Sequence, residues 1–180
     1  MAQIKNIQKR KITLLTGGAR SGKSNQALFI AESAKKPAFV ATAQAMDEEM
    51  AERIKKHQAE RSDAFELCEE PLAIAKAITK LAETCDLVLL DCLTLWLANL
   101  MNTEEAESLK ELKAFEELLK MPPCAIVIVT NEIGMGLVPA TAMGREFRDQ
   151  MGRLNQEVAR LADEVFFMVS GLPLVVKTNR

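Results

Sequence analysis

The chain has 180 residues, 48% of them hydrophobic and 27% charged, the composition of one globular domain large enough to bury a core without disulfide or metal staples. With 23 Lys and Arg against 25 Asp and Glu the net charge is −2. No overall field favours nucleic acid or an anionic membrane, so neither is expected as a partner. The four cysteines (Cys68, Cys85, Cys92, Cys124) form no CxxC pair, and with a single histidine in the chain they make no Cys/His metal cluster. Buried thiols in a reducing cytoplasm are the expectation.

Residues 1–11 are basic and polar, lack the apolar stretch of a signal peptide, and read as a flexible leader before a single domain over residues 12–180. The longest apolar runs are strand-sized, so no membrane span is expected. Residues 12–16 read as a buried strand entering a glycine loop. A helix over 23–35 ends before Pro37, and residues 38–42 form a second strand. Residues 47–61 read as a helix with Asp47, Glu48 and Glu49 in its first turn and Lys55, Lys56 and Arg61 near its end, complementing the helix dipole. A short strand is expected within 64–68, then a helix over 71–83 with Pro71 at its first position. The apolar strand 87–90 ends at Asp91. Helices over 93–102 and 104–120 follow, then the β-branched strand 124–130. A long amphipathic helix over 141–162 and strands over 165–169 and 174–177 complete the chain.

Continuous apolar strands alternating with helices predict an α/β protein with a mostly parallel sheet covered on both faces. Ligands gather at the carboxyl ends of such strands, which directs attention to the residues following each one: 17–24, 42–44, 91–94, 130–136 and 170–171.

The first of these, Gly17-Gly18-Ala19-Arg20-Ser21-Gly22-Lys23-Ser24, fits GxxxxGK[ST] in full, with a strand before it and a helix after it. Glycines let the backbone curl so that N–H groups point at phosphate oxygens, and the helix N-terminus adds partial positive charge. Lys23 is expected to reach the β- and γ-phosphates and the Ser24 hydroxyl to ligate Mg²⁺. Asp91 stands where P-loop proteins place the carboxylate that holds Mg²⁺; the alternative is an N-cap for the helix that follows. His57, the only histidine, is either a dipole partner late on its helix or a nucleophile. Neutral imidazole attacks phosphorus near neutral pH, and Arg53, Lys56 and Arg61 would neutralise the phosphate and disfavour imidazolium.

Several stretches together resemble a known family. They are residues 16–24, Ala41-Thr42-Ala43-Gln44, residues 47–54 leading to His57, Thr130-Asn131-Glu132-Ile133-Gly134-Met135-Gly136 with Leu137-Val138-Pro139, Phe147-Arg148-Asp149, Gly152-Arg153-Leu154-Asn155-Gln156 and residues 162–165. In this order the chain is similar to the bifunctional adenosylcobinamide kinase/adenosylcobinamide-phosphate guanylyltransferases of cobalamin biosynthesis, from Ile12 onward. The resemblance implies a RecA-like P-loop fold, a homotrimer, and two reactions. ATP or GTP phosphorylates the aminopropanol hydroxyl of adenosylcobinamide. GTP then guanylylates an enzyme histidine, and the GMP passes to adenosylcobinamide phosphate. The family's guanylylated histidine falls on His57. Its GTP contacts fall on the P-loop, on Ala41, Thr42 and Ala43, on Gln58, Ala59, Glu60 and Arg61, on Glu69 and on Asp91. The chain departs from the family pattern at Lys56, where a second histidine is common, at Arg61-Ser62, where Arg-Pro is usual, and at Phe65, where Trp is usual.

Asn131 and Glu132 follow a buried strand, so they are expected to meet substrate or a subunit interface, or else to cap a turn. Arg145, Arg148 and Arg153 read as solvated charge, with subunit or phosphate contact as the alternative. Two other function classes fit the P-loop: a nucleotide-driven switch acting on a partner, and an ordinary small-molecule kinase. Neither needs His57.

Overall fold

The structure is a computed structural model, and it describes residues 10–44 and 64–178. The predicted helix over 47–61 lies outside the described residues, and with it His57, Gln58, Ala59, Glu60 and Arg61. In chain order the described elements are β1 (Ile12–Gly17), α1 (Lys23–Ala31), β2 (Pro37–Ala41), β3 (Glu66–Glu69), α2 (Ile74–Leu81), β4 (Leu87–Asp91), α3 (Leu93–Leu100), α4 (Glu105–Lys120), β5 (Ala125–Val129), α5 (Ala142–Leu161), β6 (Glu164–Val169) and β7 (Leu172–Thr178).

The strands form one sheet in the order β3-β2-β4-β5-β1-β6-β7. Every pairing is parallel except β6 with β7. The central strands are apolar throughout because both faces are covered. Side chains alternate: Ile12 and Leu14 of β1, with Val88 and Leu90 of β4, face a core shared with α2, α3, α4 and α5. Leu15, Leu87 and Leu89 face a second core shared with α1. Trp96 is fully buried in the first core, edge-on to Phe115, and its indole N–H donates to the Leu72 carbonyl at 2.7 Å.

The order decides where a ligand can sit. The chain leaves β1 through α1 toward β2 on one side, and later crosses from β5 past β1 to β6 on the other. That reversal opens a crevice at the carboxyl end of β1.

Several sequence-based boundaries move. α1 ends at Ala31 rather than near residue 35, because Ser33 and Ala34 donate back to Ile30 and Ala31, and the Lys35 and Lys36 amides turn to the Asp86 carboxylate. Pro37 is then the first residue of β2, a strand position that tolerates a missing donor. α2 begins at Ile74, not Pro71. One oxygen of Glu70 accepts the amides of Leu72 and Ala73, each at 2.9 Å, and holds Pro71 in a turn. The last strand is longer than expected, running Leu172–Thr178, and pairs antiparallel with β6 through the turn at Ser170 and Gly171. Thr141 caps α5 as its position suggests, accepting the Gly144 amide at 3.1 Å.

Candidate active site

β1 delivers the chain to Gly17, where φ turns to 147°, and Gly22 has φ 91°. A side chain at Gly17 would meet the Met168 carbonyl at 2.6 Å, so the loop begins pressed against β6. A side chain at Gly22 would meet the Gly171 Cα at 3.1 Å. The Gly171 amide donates to the Ser21 carbonyl at 3.0 Å, so the β6–β7 turn braces the loop from outside. Gly22 is also the N-cap of α1, and no side chain caps that terminus, which leaves first-turn N–H groups for an anionic ligand.

Lys23 opens α1 and is 6% exposed. Its Nζ donates to the carbonyls of Gly17 (3.0 Å) and Gly18 (2.6 Å) and to Ser21 Oγ (3.4 Å), so the ammonium lies inside the curl of the loop. Burial lowers its pKa, and negative charge on Cys92 and Asp91 works the other way. The Cys92 thiol is itself pushed up to about 11 by burial, so near neutral pH Asp91 is the partner that counts. Ser24 follows on the first turn of α1.

Asp91 is the last residue of β4 and half-buried, in register with Ala41 of β2 and Val129 of β5. Cys92, the residue after Asp91, is the N-cap of α3. Ala41, Thr42 and Ala43 leave β2 beside it. Thr42 is fully buried and clamps β2 to β4: its hydroxyl donates to the Cys92 carbonyl (2.8 Å) and accepts the Cys92 amide (2.9 Å). The Asn99 amide group donates to the Thr42 carbonyl at 2.8 Å. Glu69 ends β3 on the same sheet edge, but β2, β4 and β5 separate it from β1, and its neighbour is Ala41.

Beyond β5 the chain runs on along β1. Thr130 donates its amide to Leu15 at 3.0 Å, and Glu132 donates its amide to the Gly17 carbonyl at 3.0 Å, the oxygen that Lys23 also bonds. This arm is fixed from two helices. Thr94 Oγ1 of α3 accepts the Asn131 amide at 2.9 Å. Asn155 of α5 accepts from the fully buried Thr130 hydroxyl at 2.8 Å and donates to the Asn131 carbonyl at 3.1 Å. Sequence reasoning assigned Asn155 no role. The available signal was a polar residue between Met151 and Val158 on the buried stripe of an amphipathic helix, four and three residues away. Arg145 is engaged locally, donating to the Pro139 (3.1 Å) and Ala140 (2.9 Å) carbonyls. Arg148 lies 3.8 Å from Asp149.

A GxxxxGK[ST] loop between β1 and α1, with a carboxylate at the end of a strand two places away in a parallel sheet, defines a P-loop protein of RecA-like fold. Solved structures share that fold. A KaiC-like protein from Pyrococcus horikoshii matches with a TM-score of 0.57 at 14% identity, covering 97% of this chain and 82% of that one. The flagellar accessory protein FlaH from Methanocaldococcus jannaschii matches with a TM-score of 0.52, also at 14% identity, covering 97% and 81%. Similarity at the sequence level is narrower. The family described as "Cobinamide kinase / cobinamide phosphate guanyltransferase" matches residues 13–176. The chain is 43% identical to the bifunctional adenosylcobalamin biosynthesis protein CobP of Pseudomonas aeruginosa, over 91% of this chain and 96% of that protein. It is 35% identical to the bifunctional adenosylcobalamin biosynthesis protein CobU of Salmonella typhimurium, over 91% and 98%. The chain therefore belongs to the cobinamide kinase/cobinamide phosphate guanyltransferase family.

Proposed function

We propose that the chain carries out both family reactions: phosphorylation of adenosylcobinamide, and transfer of GMP from GTP to adenosylcobinamide phosphate through a guanylylated His57. The observation that carries this reading is the closed loop around Lys23 with Asp91 beside it, in a chain collinear with the family from residue 13 to residue 176. The loop amides and Lys23 bind and orient the triphosphate and offset charge on its β- and γ-phosphates. Oxygen donors suit a hard cation, so Ser24 and Asp91 would hold Mg²⁺, which supplies charge neutralisation at the phosphates.

In guanylyl transfer an imidazole nitrogen of His57 attacks the α-phosphorus and the bond to the β-phosphate oxygen breaks, releasing pyrophosphate. A phosphate oxygen of adenosylcobinamide phosphate then attacks the same phosphorus. The P–N bond breaks, the imidazole is regenerated, and adenosyl-GDP-cobinamide forms. Gln58, Ala59, Glu60, Arg61, Glu69 and the 41–43 segment complete the GTP contacts in this reading.

The same proposal extends to assembly and location. The outer strand β7 exposes Leu172, Leu174, Val175 and Val176, each more than half exposed, an apolar edge that a soluble monomer avoids. A homotrimer covers it, and a sedimentation mass of three chains is the expected result. Among the described residues no helix is long and apolar enough to cross a membrane. The proposed location is the cytoplasm, and a net charge of −2 gives no overall attraction to nucleic acid.

Incubation with GTP labelled on the α-phosphate tests the central step. Acid-labile, base-stable label on the protein is expected, and its loss in His57→Ala with cobinamide phosphorylation largely retained. Guanylyl transfer that survives in His57→Ala rejects the mechanism.

A further inference from the structure

The Thr130–Glu132 arm carries a role that the P-loop, Asp91 and His57 leave open. Attack on the γ-phosphorus requires the acceptor hydroxyl to give up its proton, and enzymes that phosphorylate alcohols place a carboxylate to take it. Most carboxylates at the carboxyl end of this sheet have other work. Asp91 lies beside Lys23 and is the cation ligand of the reading above. Glu70 closes the turn before α2 with two amides. Glu69 stands at the β3 edge, with β2, β4 and β5 between it and β1.

Glu132 is placed differently. β5 lies between β4 and β1, so its extension passes between Asp91 and the phosphate loop. The Glu132 amide and the Lys23 ammonium share the Gly17 carbonyl, each at 3.0 Å. The backbone there is held by Thr94 and Asn155, so the carboxylate starts from a fixed point at the loop mouth. One carboxylate oxygen accepts the Gly134 amide at 2.7 Å, which sets the side-chain direction; among the described residues the second oxygen has no protein partner. Beyond it the arm exposes Met135, Leu137 and Val138, an apolar surface next to Glu132 suited to the body of a macrocyclic acceptor.

We propose that the Glu132 carboxylate is a catalytic residue of the kinase half-reaction, taking the proton of the corrinoid's aminopropanol hydroxyl as that oxygen attacks the γ-phosphorus. The new O–P bond forms while the bond from the γ-phosphorus to the β-phosphate bridging oxygen breaks. The nucleoside diphosphate leaves, and the proton resides on Glu132 until solvent removes it. The inference rests on the kinase half of the function proposed above. Guanylyl transfer to His57 involves no acceptor hydroxyl and makes no demand on Glu132.

Glu132→Gln is the informative variant. Its amide oxygen still accepts the Gly134 amide, so the turn is kept while the proton acceptor is lost. With full-length protein, adenosylcobinamide and ATP or GTP, kcat for phosphorylation is expected to fall about 100-fold or more with little change in nucleotide KM. Self-guanylylation from α-labelled GTP should stay within about threefold of wild type. Glu132→Asp, which keeps the carboxylate on a shorter arm, should recover part of the lost kcat. Retained kinase kcat in Glu132→Gln overturns the proposal, and so does an equal loss of both half-reactions, which would mark damage to the shared loop. If the wild-type protein phosphorylates no cobinamide, the kinase reading itself fails and takes the proposal with it.

Discussion

Gly17→Ala isolates the backbone geometry on which the phosphate loop depends. The residue has φ 147°, outside the range L side chains readily adopt, which costs about 1–3 kcal/mol for alanine. The new Cβ would also stand 2.6 Å from the Met168 carbonyl, 2.9 Å from Ser21 Oγ and 3.2 Å from the Met168 amide. Gly17 pairs with Met168 in the β1–β6 ladder, so the strands must part locally, at about 0.5–1.5 kcal/mol for a displaced ladder bond. Together these give about 2–4 kcal/mol. For a domain of this size each kcal/mol lowers Tm by roughly 2–4 °C, so the melting point should fall by about 5–15 °C. Gly18→Ala is the control: nothing lies within 4 Å of the position its added methyl would take, and its φ is not left-handed. That variant should melt within about 2 °C of wild type. Scanning calorimetry at one protein concentration without nucleotide measures both, and titration calorimetry with GTP should show at least a tenfold weaker affinity, about 1.4 kcal/mol, for Gly17→Ala. A Gly17→Ala protein that melts with wild type, or a Gly18→Ala protein that falls as far, refutes the reasoning.

Two further outcomes follow from the site. Lys23→Ala should lower both half-reactions by about 100-fold or more, because one ammonium serves the triphosphate in each; steady-state kinetics of the two half-reactions check this. Stability should fall as pH rises above 9. Burial pushes the Cys92 and Cys124 thiols from 9.0 up to about 11, so between those values the unfolded chain has released protons that the folded chain still holds, and unfolding gains with rising pH. The chain has no tyrosine to obscure this. The urea midpoint at pH 10 should lie below that at pH 8, and Cys92→Ala should reduce the difference.

Much of the fold was legible in the residues. Strands such as 87–90 and 124–130 are apolar on both faces and too short for helices, which predicts a parallel sheet without reference to its neighbours. The P-loop was legible because its chemistry is local: glycines, lysine and serine at fixed spacing act within one turn of chain. The early end of α1 and the late start of α2 were not legible, because Asp86 and Glu70 decide them through amides that propensity does not weigh. Nor did the sequence choose between magnesium ligand and helix cap for Asp91, because both roles put a carboxylate at the end of a strand just before a helix.

The sequence by itself determined the class of chemistry, since a phosphate cradle and its lysine are written contiguously and fold from adjacent residues. Which distant groups attend that cradle was decided only by the order of strands. Placing β5 between β4 and β1 sets Glu132 on the same carbonyl as Lys23, and folding α5 back across the sheet sets Asn155 against Thr130. The physical reason is range: turn and helix geometry act over a few residues, whereas strand neighbours are chosen by the burial of whole apolar faces.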